Sequence, residues 1–92
     1  DVANLSMEEM EQAFKDVPHF EIKEELTLSD FLVQNGIASS KREARELIQA
    51  GSISINGEKA MDENLVINRN IAKDGKIILV RRGKKKYYMG TF

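Results

Sequence analysis

The chain has 92 residues, 41% of them hydrophobic, which suits one domain with one modest core. It has no cysteine, which excludes disulfides, thiolate zinc sites and cysteine nucleophiles, and a single histidine, His19, which excludes histidine-rich metal sites. The net charge of −1 conceals a division: residues 1–30 hold nine acids against Lys15 and Lys23, a net of −7, whereas residues 31–92 hold twelve bases against six acids, a net of +6.

The first predicted element is an amphipathic helix over residues 5–17. Ser6 and Glu9 have the spacing of a capping box, Met10, Phe14 and Val17 recur at helical intervals after Leu5 and Met7, and Pro18 closes the run. Its acidic face reads as a solvated surface that keeps nucleic acid away, and its apolar face needs a partner, either the domain or something N-terminal to it. Residues 18–26 read as a connector, extended around 19–22. A second helix is expected over 29–35, with Thr27 and Asp30 in a capping relation, Leu28, Phe31 and Leu32 as its buried stripe and Gly36 just past its end. A third runs over 41–50, capped by Ser40 with Glu43 completing the box and ended by Gly51. The remainder reads as strands: 52–55, a tight turn at Asn56-Gly57, a return over 58–61, a short run at 65–67, then 76–82 after the turn at Asp74-Gly75, and 86–89 after the break at Gly83. The expected class is α+β, short helices followed by a small, mostly antiparallel sheet. The expected division is an acidic linker helix and connector over 1–25 and a nucleic-acid-binding domain over 26–92. No signal peptide is visible, the longest apolar run, residues 77–80, is far too short to cross a bilayer, and the opening Asp1 reads as the start of an excised fragment.

The third helix carries the first functional signal. At about 100° per residue, with Leu47 at zero, Ala44 and Ile48 fall at about 60° and 100° and make the core arc. Lys41, Arg45 and Arg42 follow at about 120°, 160° and 220°, and Glu46 and Glu43 at about 260° and 320°. The bases are sorted from the acids, which a helix optimised only for its own stability has no reason to do. Lys41 and Arg42 also occupy the first turn, where the helix dipole disfavours a cation by about 0.3–1 kcal/mol and exposed N–H groups attract anions. The competing reading is a simple Arg42–Glu46 pair, worth about 0.2–0.5 kcal/mol.

The second signal is Arg81-Arg82-Gly83-Lys84-Lys85-Lys86-Tyr87-Tyr88, five bases in six positions. Their mutual repulsion would be relieved by the phosphates of a polyanion, with release of counterions. Tyr87 and Tyr88 would alternate faces, one packing inward and the other, Tyr88, open to stack on a base or ribose. Ser40, Asn56 and Arg69 are further possible contacts, and His19, Met7, Met10 and Met61 are read as surface or packing residues. The competing readings are a solubilising tail for the lysine run, and attraction between the two halves in the service of folding. No acid–base–nucleophile set and no metal set can be assembled, so no catalytic and no metal-binding residue is expected.

The stretch from Leu28 to Lys59 resembles the α-L RNA-binding motif: Leu28-Ser29-Asp30-Phe31-Leu32, Gly36-Ile37-Ala38-Ser39-Ser40, Lys41-Arg42-Glu43-Ala44-Arg45 and Gly51-Ser52-Ile53-Ser54-Ile55-Asn56-Gly57. The acidic segment MEEMEQAFKDVP before it and the ending DGKIILVRRGKKKYYMGTF make the whole similar to the C-terminal tRNA-binding domain of bacterial tyrosyl-tRNA synthetases. The resemblance implies a domain that grips tRNA(Tyr) at the anticodon arm and near the long variable arm. Lys41, Arg42 and Arg45 would contribute from the helix, and Arg81, Arg82, Lys84, Lys85 and Lys86 from the tail. It implies no cofactor in this domain, with ATP and Mg held by the catalytic part of a parent tyrosine–tRNA ligase. It also implies a cytoplasmic location, no membrane partner, a monomeric fragment, and a parent homodimer formed through its other part. Two alternatives stay open: an RNA-binding appendage of an rRNA-associated factor or RNA-modifying enzyme, and a protein-docking module that uses the acidic first helix.

Overall fold

The computed structural model describes residues 6–84 and 86–92. Helix α1 spans Met7–Ala13, and its capping box is formed: the Ser6 hydroxyl accepts from Glu9 N–H, and Glu9 Oε1 accepts from Ser6 N–H, both at 3.1 Å. The helix ends earlier than residue 17. Phe14 leaves helical geometry and the chain turns through 14–17, with Val17 N–H bonded to the Phe14 carbonyl. Pro18 disfavours helical geometry in Val17 before it, and the chain has already left the helix at Phe14. Leu5 lies outside the described residues, as does the side chain of Met7.

Strand β1 (His19–Glu21) follows, then β2 (Leu26–Thr27) and helix α2 (Leu28–Gln34). Thr27 is the N-cap of α2, but its hydroxyl donates to Asp30 Oδ2 at 3.2 Å instead of accepting a backbone N–H. Gly36, at φ +73°, takes the left-handed position after the helix, and Ile37 and Ala38 N–H groups both return to the Leu32 carbonyl. Helix α3 (Lys41–Gln49) is capped by Ser40, whose hydroxyl accepts from Glu43 N–H at 3.1 Å. The Glu43 carboxylate does not close the box on Ser40. It accepts instead from the N–H and hydroxyl of Ser39, at 3.0 and 3.1 Å.

Beyond α3 come β3 (Ile53–Ile55), β4 (Glu58–Lys59), β5 (Val66–Ile67), β6 (Ile77–Arg82) and β7 (Lys86–Thr91). Asn56 and Gly57, at φ +50° and +90°, make the tight turn between β3 and β4 that their dipeptide predicts. The five-stranded sheet has the order β1-β7-β6-β3-β4. It is antiparallel except for β1, which lies parallel to β7 with His19 opposite Met89. A separate antiparallel pair joins β2 to β5. The α+β class, with a mostly antiparallel sheet, is as the sequence leads one to expect.

Both faces of the sheet are covered, which explains why β3 is buried at all three positions and Ser54 with it. Successive residues of β6 serve different cores. Ile78 and Val80 join Ile53, Ile55, Phe31, Leu32, Ala44 and Ile48 under α2 and α3. Ile77 and Leu79 join Met89 and Met10 under α1, with Phe14, Val17 and Tyr87 around them. Met61, read as a packing residue, is instead 58% exposed, while its neighbours in the chain between β4 and β5, Ala60 and Leu65, turn into the larger core.

Candidate nucleic-acid interface

The period of two in β6 separates the two arginines that adjoin in sequence. Arg82 follows Ile78 and Val80 onto the α3 side. Its Nη1 donates to the Ile37 carbonyl at 2.8 Å, and its Nη2 lies 3.7 Å from Glu43 Oε1. Arg81 faces the α1 side, where Nη2 reaches the Ser54 hydroxyl at 3.4 Å and Nε is buried with no partner in the protein. It shares a shallow notch there with Ser54, Gly57, Leu79 and Tyr87.

The Arg82 contacts bring the two basic segments of the sequence together. Ile37 and Ser39 lie on the connection that leads into α3, and Gly83 begins the β6–β7 turn with its N–H on the Ser52 carbonyl. Lys86 stands opposite Arg82 across the β6–β7 pair and so shares its face. Lys84 and Lys86 are exposed; Lys85 lies outside the described residues. The first turn of α3 and the root of the lysine hairpin therefore belong to one end of the domain.

Every ion pair among the described residues falls on a base predicted for this surface. Lys41 Nζ meets Asp30 Oδ1 at 2.8 Å, Arg42 Nε meets Glu46 Oε1 at 3.3 Å, Arg45 Nε meets Glu63 Oε2 at 3.6 Å, and Arg82 meets Glu43. The Arg42–Glu46 pair is the competing reading of the helix made real, yet the Arg42 side chain remains 90% exposed. Exposed pairs of this kind contribute little to stability. The carboxyls of two partners are held below their ordinary range. For Glu43 the cause is first the Ser39 N–H bond, then the Ser39 hydroxyl, with Arg82 adding a smaller share; for Asp30 it is first the bond from Lys41. Both stay ionised at neutral pH and hold the bases in place.

Other predicted residues lie elsewhere or are engaged. The Asn56 amide donates to the Ile71 and Ile77 carbonyls, each at 3.2 Å, and accepts from Leu79 N–H at 2.8 Å, so it ties the turn to β6. Arg69 donates to the Gly75 carbonyl at 3.0 Å and lies over the Phe92 ring, 5.2 Å from its centre, toward the opposite end of β7 from Lys86. Both tyrosines are half-buried, one on each core: Tyr87 against Phe14, ring centres 4.8 Å apart, and Tyr88 against the core under α2 and α3. Ser40 is exposed, but its hydroxyl is engaged by the cap. Sequence reasoning passed over Lys59. It is exposed on edge strand β4, in the cross-strand row Lys59, Ser54, Arg81 and Tyr87, and only its pairing register reveals that company. No helix is long and apolar enough to cross a membrane, and no group of three His, Asp or Glu side chains suited to a metal occurs among the described residues.

Comparison with known proteins agrees with the fold. A family model described as the tyrosine–tRNA ligase SYY-like C-terminal domain matches residues 9–90. The tyrosine–tRNA ligase of Leuconostoc mesenteroides subsp. mesenteroides is 48% identical over 91 residues, taking in 98% of this chain and 22% of its own length. That of Geobacillus stearothermophilus is 46% identical, with 97% and 22% covered. The solution structure of a tyrosyl-tRNA synthetase C-terminal domain superposes with a TM-score of 0.77 at 45% identity, over 98% of this chain and 92% of that one. The chain spans about a fifth of the length of the curated relatives it matches, and the matching portion is their C-terminal domain, which is not the catalytic part. The chain belongs to the family of tyrosine–tRNA ligase SYY-like C-terminal domains.

Proposed function

We propose that this domain binds tRNA(Tyr), at the anticodon arm and near the long variable arm, and so holds the tRNA for aminoacylation by the catalytic part of a tyrosine–tRNA ligase. ATP and Mg belong to that catalytic part in this reading. The observation that carries it is the meeting of two basic segments, the first turn of α3 and the β6–β7 hairpin, at one end of the sheet. Arg42, Arg45, Lys41, Lys84 and Lys86 would contact phosphates, with Lys85 beside them in sequence. Arg81, on the other face, would reach RNA only from the notch it shares with Tyr87. Such contacts fix register and orientation more than they read sequence. The gain for the ligase would lie in placing the acceptor end.

The family assignment supports tRNA over ribosomal RNA as the ligand. The protein-docking alternative is left with little apolar surface, because Met10 is fully buried in the domain and Phe14 stacks on Tyr87. The acidic 1–25 segment would instead present a face that repels RNA, while 26–92 binds it.

The test is a titration of tyrosine tRNA, with an unrelated tRNA and a ribosomal RNA hairpin as competitors, across a salt series. Preference for tyrosine tRNA, a steep salt slope, and losses in both Arg42→Ala/Arg45→Ala and Lys84→Ala/Lys86→Ala are expected. Failure of the folded chain to bind any RNA at low salt would remove the reading.

A further inference from the structure

Arg82 stands apart from the other bases of the surface. Its side chain is 31% exposed, against 90% for Arg42. One arm of its fork donates to the Ile37 carbonyl at 2.8 Å, and the other faces Glu43 at 3.7 Å. That same carboxylate accepts from Ser39 N–H and hydroxyl, beside the Ser40 cap of α3. One side chain thus touches, directly or through Glu43, the connection after α2, the loop before α3 and the first turn of α3, while its own backbone lies in the last position of β6. A guanidinium suits this place because it is planar and presents several donors in fixed directions; a lysine has one charged point and cannot serve two partners in the same way.

We propose that Arg82 is a positioning residue, not a phosphate ligand: it staples the β6–β7 hairpin to the α2–α3 connection and so sets the distance between the bases of α3 and the hairpin lysines. The geometry leaves the contact role to its exposed neighbours, Lys84 and Lys86. Two weak basic surfaces act as one strong site only when their spacing matches the ligand, since the second contact then forms at high effective concentration. A hinge at the root of the hairpin would dilute that gain even though every base remained. The inference rests on the RNA-binding reading for its consequence, but the staple itself is testable without RNA.

The chain has no cysteine. Spin labels on Gln49→Cys and Lys84→Cys, both at exposed positions, therefore report the separation of α3 from the hairpin. A single narrow distance distribution is expected, broadened by Arg82→Lys and by Arg82→Gln. In tRNA titrations Arg82→Lys, which keeps the charge, should lose roughly tenfold in affinity. Glu43→Gln, which removes a negative charge, should weaken binding where simple electrostatics would strengthen it. In the Arg82→Lys background, the effects of Arg42→Ala/Arg45→Ala and of Lys84→Ala/Lys86→Ala should become additive, with the coupling between them lost.

The opposite pattern would overturn the proposal: an unbroadened distribution, parental affinity in Arg82→Lys, and a salt slope in Arg82→Gln reduced by about one phosphate contact. An unbroadened distribution with unchanged binding in all three variants would overturn it equally. If both alanine pairs left tRNA binding untouched, the RNA reading would fail, and the label distances would still decide whether Arg82 is the staple.

Discussion

The two faces of the sheet are built from the same strands and have opposite characters. Under α2 and α3 lies the larger core, around Phe31, Leu32, Ile37, Ile48, Ile78 and Val80. Above it, α3 turns Lys41, Arg42 and Arg45 toward solvent and toward acids. Under α1 lies a small cluster of Met10, Ile77, Leu79 and Met89, covered by a helix whose exposed residues include Glu8, Glu9 and Glu11. A basic run along the chain is therefore not a basic patch in space. The alternation of a strand sends Arg81 to the acidic side and Arg82 to the basic side, as it sends Tyr87 and Tyr88 to different cores.

If the two faces are unequal in strength, breaking each should have different consequences. Phe31→Ala, in the larger core, should cost about 3–5 kcal/mol and lower the midpoint of a chemical denaturation of the whole domain. Met10→Ala should cost about 2 kcal/mol and act locally: hydrogen exchange should quicken in α1 while α2, α3 and β6 keep their protection. Equal loss of protection everywhere would show one core where the structure has two. Gly90→Ala probes the packing of β1 on the α3 side. An added Cβ would come within 2.7 Å of Ile22 Cδ1 and 3.0 Å of Phe20 Cε1, so overpacking by about 1 kcal/mol is expected in thermal denaturation.

Charge sharpens the same comparison. Glu8→Gln/Glu11→Gln on the acidic face should leave the salt slope of tRNA binding unchanged, whereas Arg42→Ala/Arg45→Ala should flatten it. Equal effects from the two pairs would mean that RNA does not distinguish the faces.

The smallest expected effect is on pH dependence. Glu9 is held below its ordinary value first by the Ser6 N–H and then by the Ser6 hydroxyl; Glu43 is held down chiefly by Ser39 and Asp30 chiefly by Lys41. With folded values below unfolded ones, the stability these groups contribute is full above the ordinary carboxylate range. It is lost as pH falls through their lowered values. Thermal midpoints from neutral to acid pH should decline in the parent, and less in Glu9→Gln/Glu43→Gln.

Much of the fold is legible in short stretches of the chain. The caps at Ser6 and Ser40, the left-handed Gly36, and the Asn56-Gly57 turn are encoded within about four residues, because the bonds that define them are made within one turn of backbone. The stripe of Ala44 and Ile48, and the bases beside it, follow from helical periodicity alone. The length of α1 is less legible, since Phe14 and Val17 keep apolar spacing and pack on the same cluster although the chain has already turned out of the helix.

What the sequence by itself determined was the inventory: an α+β order of elements, one acidic and one basic segment, and the bases of α3 and of the hairpin as candidates. The tertiary structure alone decided how these meet. The parallel pairing of β1 with β7 joins residues 19–21 to residues 89–91. The burial of Ser54 requires a second covered face. The engagement of Asn56 with β6, of Arg45 with Glu63, and of Arg82 with Ile37 and Glu43 depends on partners far away in the chain. The physical reason is reach. A cap or a turn is settled by neighbours along the backbone, whereas the direction a charged side chain takes is settled by whichever acid or carbonyl the packed sheet brings within a few ångströms.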